Sequence, residues 1–210
     1  MDIKNTPKQH LIVGVFSLAL VAISRYLLEI PLSTSFGRVS FILLSMILVI
    51  GPLMRLKKPT KSSSPLATPW SWRGELGIWF ALTALTHFII VLTGRPLSAL
   101  IKIGGSGYGL ANFLGLIALF WALILTATSF GKVILFLGVR AWKWLHGMTY
   151  VVFYLVAGHF AYFQFFSTHG EIGPDWFGYT AVTIAISVVA LQLIAFVVSI
   201  KKQRKEKLIK

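Results

Sequence analysis

Apolar residues along this chain gather into six runs separated by short polar or basic gaps: Leu11 to Leu28, Val39 to Leu53, Gly74 to Thr93, Leu110 to Phe130, Trp142 to Phe165 and Phe177 to Ile200. A helix needs roughly 20 predominantly apolar residues to cross about 30 Å of hydrocarbon. Runs of that length, apolar on every face, predict an all-α, polytopic membrane bundle of about six transmembrane helices. The second run is the shortest, and Gly51 and Pro52 near its end predict a kink or fraying there. No internal repeat or second domain is evident, so residues 1–210 read as a single integral-membrane domain ending in a basic tail, 201–210.

Composition strengthens this picture. The chain of 210 residues is 56% hydrophobic and only 12% charged, with a mean hydropathy of +0.79, too little polar material to cover a water-soluble globule. The net charge of +14 would suggest a nucleic-acid partner if it lined one soluble face. It lies instead in the gaps between apolar runs, which argues against nucleic acid. Sixteen of the 20 basic residues fall on one side of the expected bundle: Lys4 and Lys8, the group Arg55, Lys57, Lys58, Lys61 and Arg73, the group Lys132, Arg140 and Lys143, and the tail from Lys201. Arg25, Arg38, Arg95 and Lys102 lie on or toward the other side. By the positive-inside rule both termini are expected in the cytoplasm, as in a multi-pass protein of the bacterial cell inner membrane.

Trp70, Trp72, Trp142 and Trp144 near the cytoplasmic ends and Trp176 near an outer end read as interfacial anchors, with stacking on a cofactor as the alternative for Trp142 and Trp144. The segment Lys57 to Pro69, rich in Ser, Pro and Thr, is expected to be a cytoplasmic loop. Gly104 to Gly109 lacks the strand and the glycine spacing of a nucleotide-binding turn and reads as a connection. The basic tail reads as a solvated flank that stops transfer, or as a contact for anionic membrane lipid. Lys4 and Lys8 before Leu11 to Ser24 resemble a secretory leader, but no small-residue cleavage site follows, so an uncleaved first span is expected.

With no cysteine, disulfides, thiolate-bound clusters and thioether-attached haem are excluded. Any metal must rest on nitrogen or oxygen. Of the five histidines, His87 lies in the third run and His159 in the fifth. Ionisable groups inside a membrane are costly and usually functional. Counted from the cytoplasmic ends, His87 is about 20 Å deep and His159 about 26 Å deep, at 1.5 Å per residue. A single intramembrane histidine is ordinarily a hydrogen-bonded interior residue. A pair matched in depth on two spans suits the axial positions of a b-type haem (heme b), with apolar side chains against the porphyrin faces.

His146 lies near the cytoplasmic end of the fifth run, and on one ideal helix its side chain would point about 140° away from that of His159. Aiming both at one seam would need a bulge or bend near Gly158. His146 is thus a candidate ligand of a second, inner haem, with no evident partner unless His10 supplies it. Arg73, Arg140 and Lys143 are candidates to pair with haem propionates or a flavin phosphate, besides serving as basic flanks. His169, with Glu171 and Asp175 in an outer loop, reads as solvated or as a weak metal site.

The run Leu137-Gly138-Val139-Arg140-Ala141-Trp142-Lys143-Trp144-Leu145-His146, followed by Tyr150 and His159, resembles the signature helix of the ferric reductase-like transmembrane domain superfamily. The likeness extends to Gly37-Arg38, Pro52-Leu53-Met54-Arg55, Leu76-Gly77-Ile78-Trp79 leading to His87, and Thr126 to Ser129, and so covers most of the chain. Within the superfamily the sequence is most similar to the haem-binding membrane subunit of the periplasmic methionine sulfoxide reductase system.

This resemblance implies a six-helix bundle holding one or two b-type haems on His87, His146 and His159, with FMN in some members. It further implies electrons taken from a cytoplasmic flavin reductase or quinol and delivered to a periplasmic molybdoenzyme. The chain departs from full ferric reductases in placing Arg73 and Gly74 where a second histidine of the third span would stand. Ser33, Thr34, Ser35 and Phe36 occupy the stretch where a histidine often precedes Gly-Arg. With no soluble flavin and nicotinamide domain after the sixth run, a separate donor is expected. Two other readings are a standalone surface reductase of ferric or cupric complexes, and a transporter or assembly factor whose histidines relay protons or bind substrate.

Overall fold

The computed structural model of the chain describes residues 7–56, 72–102, 108–166 and 174–208. Among these, the ordered elements are all helices: α1 (Pro7–Ala22), α2 (Leu32–Leu56), α3 (Arg73–Gly94), the single turn α4 (Leu97–Leu100), α5 (Tyr108–Ala127), α6 (Gly131–Leu137), α7 (Val139–His146), α8 (Thr149–Ala161) and α9 (Trp176–Leu208). Wider π-helical turns, Ile23–Leu27 and Tyr162–Phe166, continue α1 and α8. Six segments are long and apolar enough to cross a membrane: Pro7–Leu27, Leu32–Leu56, Arg73–Gly94, Gly109–Ala127, Val139–Phe166 and Trp176–Arg204. The fold is therefore an all-α polytopic bundle. Lys4, the Lys57 to Pro69 segment, Trp70, most of Gly104 to Gly109, His169 and Glu171 lie outside the described residues, as do the side chains of the basic tail beyond Arg204.

The second span differs most from its expected form. It begins at Leu32, seven residues before the apolar run, and passes Pro52 to end at Leu56. Its first turns, rich in Ser, Thr and Gly, fail an apolarity count yet lie inside the bundle. Fully 56% of its most apolar stretch is buried within the protein, against 11–28% for the other five spans. The helix is thus the hub of the bundle, packed on α3 and α9 and touching α1 and α8. Lipid, which covers the outer helices, cannot hydrogen-bond a hydroxyl. Ser17, Ser45 and Thr83 accordingly donate to the carbonyls of Val13, Phe41 and Trp79 four residues back, at 2.7–2.8 Å.

Pro52 does not fray the helix, because its missing donor is replaced from outside. Proline has no N–H, so the carbonyl of Leu48, four residues earlier, loses its partner within the helix. Gln192 of α9 donates Nε2–H to that carbonyl at 2.8 Å. The same amide accepts the Tyr150 hydroxyl of α8 through Oε1 at 3.1 Å. One glutamine thereby joins three helices where an orphan carbonyl would otherwise face a low-dielectric core.

The fifth span is interrupted: α7 ends at His146, and α8 begins at Thr149 after a turn at Gly147 and Met148. The break lies there rather than near Gly158, which is interior to α8. Gly138, at φ 77° and ψ 147°, forms the corner between α6 and α7 in a conformation that only glycine takes without strain.

Replacing Gln192 with Leu leaves the Leu48 carbonyl and the Tyr150 hydroxyl unmet, and should cost about 1–2 kcal/mol in detergent unfolding measurements. In a Pro52→Ala background, where α2 supplies its own donor to Leu48, the same substitution should cost measurably less.

Candidate functional site

His87 of α3 and His159 of α8 face each other. Gly94 and Phe166, where those helical segments end, each lie seven residues beyond their histidine. Counting from the far end of the bundle, opposite the chain termini, thus puts both side chains at one level. The two imidazole centroids are 6.4 Å apart, with the ring planes at 78°.

The two rings are held by the same device on opposite walls. His87 Nδ1 lies 2.7 Å from the carbonyl oxygen of Ser33 on α2, and His159 Nδ1 lies 2.7 Å from that of Ala111 on α5. A carbonyl can only accept, so Nδ1 carries the proton in each ring and Nε2 is left with its lone pair. Four residues after each acceptor stands a glycine. A Cβ at Gly37 would come within 3.3 Å of His87 Nδ1, and one at Gly115 within 2.8 Å of His159 Nδ1. In a helix, residues i and i+4 are stacked along one face. A ring lying over the bare α-carbon therefore meets the carbonyl one turn below, and the absent side chains are the room that the imidazoles occupy.

Between these walls lies a cavity of about 560 Å³ lined by both histidines, within the usual range for a cofactor or ligand site. Its depth is apolar, with Phe41, Phe80, Leu119, Val156 and Phe160 on the walls. Toward the far end the lining turns polar, with Ser33, Arg38, Arg95, Asn112 and Gln164. Phe41 stacks on Phe153 and Phe160, at centroid distances of 6.2 and 5.6 Å, and joins the cavity wall to the core of the bundle. Among the described residues, no cluster of three or more His, Asp or Glu is gathered as a bare-ion site. Two imidazoles alone suit a metal whose other ligands arrive with a cofactor.

The other candidates are placed elsewhere. His146 ends α7, with its Nε2 at 3.4 Å from the Thr128 hydroxyl and the Trp142 ring 4.4 Å away. Trp142 in turn donates Nε1–H to the Thr128 carbonyl at 3.1 Å. The ring beside His146 is therefore tryptophan rather than a second histidine. Arg73, close enough to His146 to act on it electrostatically, also has Tyr150 and Arg55 as charge neighbours. Arg140 is exposed at the start of α7. Neither arginine lines the cavity between His87 and His159. His10 is half-buried in the first turn of α1.

Arg38 is the site residue that the sequence pattern concealed. With the second span taken to start at Val39, this residue counts as an outer flank. In the structure it lies six residues inside α2, only 6% exposed. The available signal was the run Ser33 to Ser40, whose small residues at helical spacing continue the apolar face of Phe41, Leu44 and Leu48.

Nitrogen-15 spectra of the side chains should show both rings as the Nδ1–H tautomer. Gly115→Ala, which brings a methyl carbon to 2.8 Å from His159, should disturb its ring signals more than Gly37→Ala disturbs those of His87.

A family model described as ferric reductase like transmembrane component matches residues 36–157. That span holds His87 and His146 and stops two residues short of His159. No curated protein matches the chain.

Proposed function

The chain belongs to the ferric reductase like transmembrane component family, a membership that implies transmembrane electron transfer, and we propose that its carrier is a b-type haem with His87 and His159 as axial ligands. The observation that carries this reading is the pair of imidazoles 6.4 Å apart across a cavity that both of them line. A bond from metal to imidazole nitrogen is about 2 Å long, and the nitrogen stands about 1 Å from its ring centre, so two rings clamping one metal place their centroids about 6 Å apart. The Nδ1–H donations to Ser33 and Ala111 support the same reading, because an imidazole ligand ordinarily gives its other N–H to a carbonyl or carboxylate. The amphipathic lining also fits a porphyrin, whose ring is apolar and whose two carboxylates need polar partners.

When bound, the haem would supply a reversible one-electron couple. The protein's own contribution is positional. The carbonyls of Ser33 and Ala111 fix each ring's tautomer and raise its basicity, while Gly37 and Gly115 set how closely each ring seats on its wall. Phe41, Phe80 and Phe160 exclude water. All of these groups are on helices, which holds the donor nitrogens more tightly than loops would.

By the resemblance set out above, we assign the donor as a cytoplasmic flavin reductase or quinol, and the acceptor as a periplasmic molybdenum-containing methionine sulfoxide reductase, across a bacterial inner membrane. The excess of Lys and Arg at the end holding the termini supports that orientation. His146, with Arg73 close to it in space and Arg140 six residues before it on the same helix, is the candidate position for an inner haem or an FMN phosphate.

The purified protein should show a reducible low-spin b-type spectrum with one haem per chain at the His87 and His159 site. His87→Ala and His159→Ala should each abolish that signal, whereas His146→Ala should preserve it. A spectrum unchanged in both of the first two variants would contradict the assignment.

A further inference from the structure

Arg38 projects from α2 about 9 Å inside its far end, one residue beyond the glycine on which His87 packs, and it lines the same cavity. Its Nη2 donates to Asp175 Oδ2, and its guanidinium carbon rests 4.8 Å from the centroid of the Phe177 ring. Its other two nitrogens, Nε and Nη1, are buried and have no hydrogen-bond partner among the described residues. A buried guanidinium with two unmet donors is costly. Nη1 lies on the Cδ side of the guanidinium and the Nε–H on the opposite edge, so each offers its N–H to a separate acceptor oxygen.

Asp175 is fixed in turn. Its Oδ1 accepts the Gly178 N–H at 2.9 Å as the cap of α9, and its own N–H reaches Gln164 Oε1, on the cavity lining, at 3.4 Å. A carboxylate tethered in this way at the start of α9 holds Nη2 of the guanidinium and leaves Nε and Nη1 for other acceptors.

We propose that Arg38 and Asp175 form a carboxylate-recognition device at the polar mouth of the cavity: Asp175 is a positioning residue that occupies Nη2 and sets the net charge there, and one of the unmet N–H donors of Arg38 gives a charge-assisted hydrogen bond to a carboxylate oxygen of the bound group. The proposal rests on the haem reading, in which that carboxylate is one of the porphyrin's two.

The test is reconstitution of chain expressed under haem depletion with either haem or its dimethyl ester, which has the same ring and no free carboxylate. The unsubstituted chain should bind haem about tenfold or more tighter than the ester, the order expected for hydrogen bonds to a charged group. Arg38→Gln should remove that preference while keeping affinity for the ester, and Arg38→Lys, which retains a charge without the directed N–H groups of the guanidinium, should restore it in part. The haem midpoint potential should fall in Arg38→Gln and rise in Asp175→Asn, which keeps an oxygen to cap α9 but loses the charge. A purely structural lesion, which loosens the site in both variants, would move the two potentials the same way. A preference for haem that survives Arg38→Gln, or potentials that shift in one direction, would overturn this proposal and leave the histidine pair standing. Failure of the unsubstituted chain to take up either porphyrin would overturn both.

Discussion

A histidine ring inside a membrane must satisfy its N–H or forfeit several kcal/mol, and that requirement governs the centre of this protein. Both His87 and His159 meet it with a backbone carbonyl of a neighbouring helix rather than with water or a side chain. Since each carbonyl belongs to a helix, its position is fixed to within the tolerance of the helix itself. The donor nitrogens left over are therefore aimed by backbone geometry, which substitutions on the lipid-facing surface scarcely reach. For the haem reading proposed above, the consequence is preorganisation: the two lone-pair nitrogens stand across a gap of fixed width, and little would need to move on binding a metal.

The rest of the bundle can be understood as support for that gap. α2 carries Ser33, Gly37, Arg38 and Phe41 on successive turns of one face, which makes it at once a wall of the cavity and the core of the fold. Its own integrity depends on Gln192 and Tyr150 repairing the hydrogen bond that Pro52 removes. On the other wall, Ala111, Gly115, Ala118 and Ala122 form a small-residue stripe along α5 that lets α8 approach closely. Asp175 and Phe177, at the first turn of α9, close the far end against Arg38. The long helices around the cavity, α2, α3, α5 and α8, are thus each tied to another by a polar contact as well as by packing.

Sequence pattern carried the helical class, the six spans and the pairing of His87 with His159, because apolar run length and the cost of intramembrane histidine are both local properties. It misjudged what depends on neighbours. The Ser-rich start of α2 looked too polar for a span, yet Ser35 and Ser40 bond carbonyls three to five residues back, while Gly37 and Arg38 meet His87 of α3 and the start of α9, which a local count does not see. Pro52 looked like a breaker because Gln192 lies 140 residues away in sequence. The fifth span read as one straight helix, whereas α7 and α8 are separate. A partner for His146 was not legible in the sequence, and Trp142 and Thr128 are what the fold sets beside it.

The ring planes of His87 and His159 are nearly perpendicular, at 78°, and that angle gives the account its most direct test. Two axial imidazoles crossed in this way bring the iron's lower d orbitals close in energy, and the ferric state then gives a strongly anisotropic low-spin resonance. Low-temperature electron paramagnetic resonance of the oxidised, membrane-extracted protein should show that signal at one iron per chain. A high-spin axial spectrum, the weakly anisotropic low-spin spectrum of parallel rings, or no haem iron at all would contradict the claim that these two histidines clamp one metal.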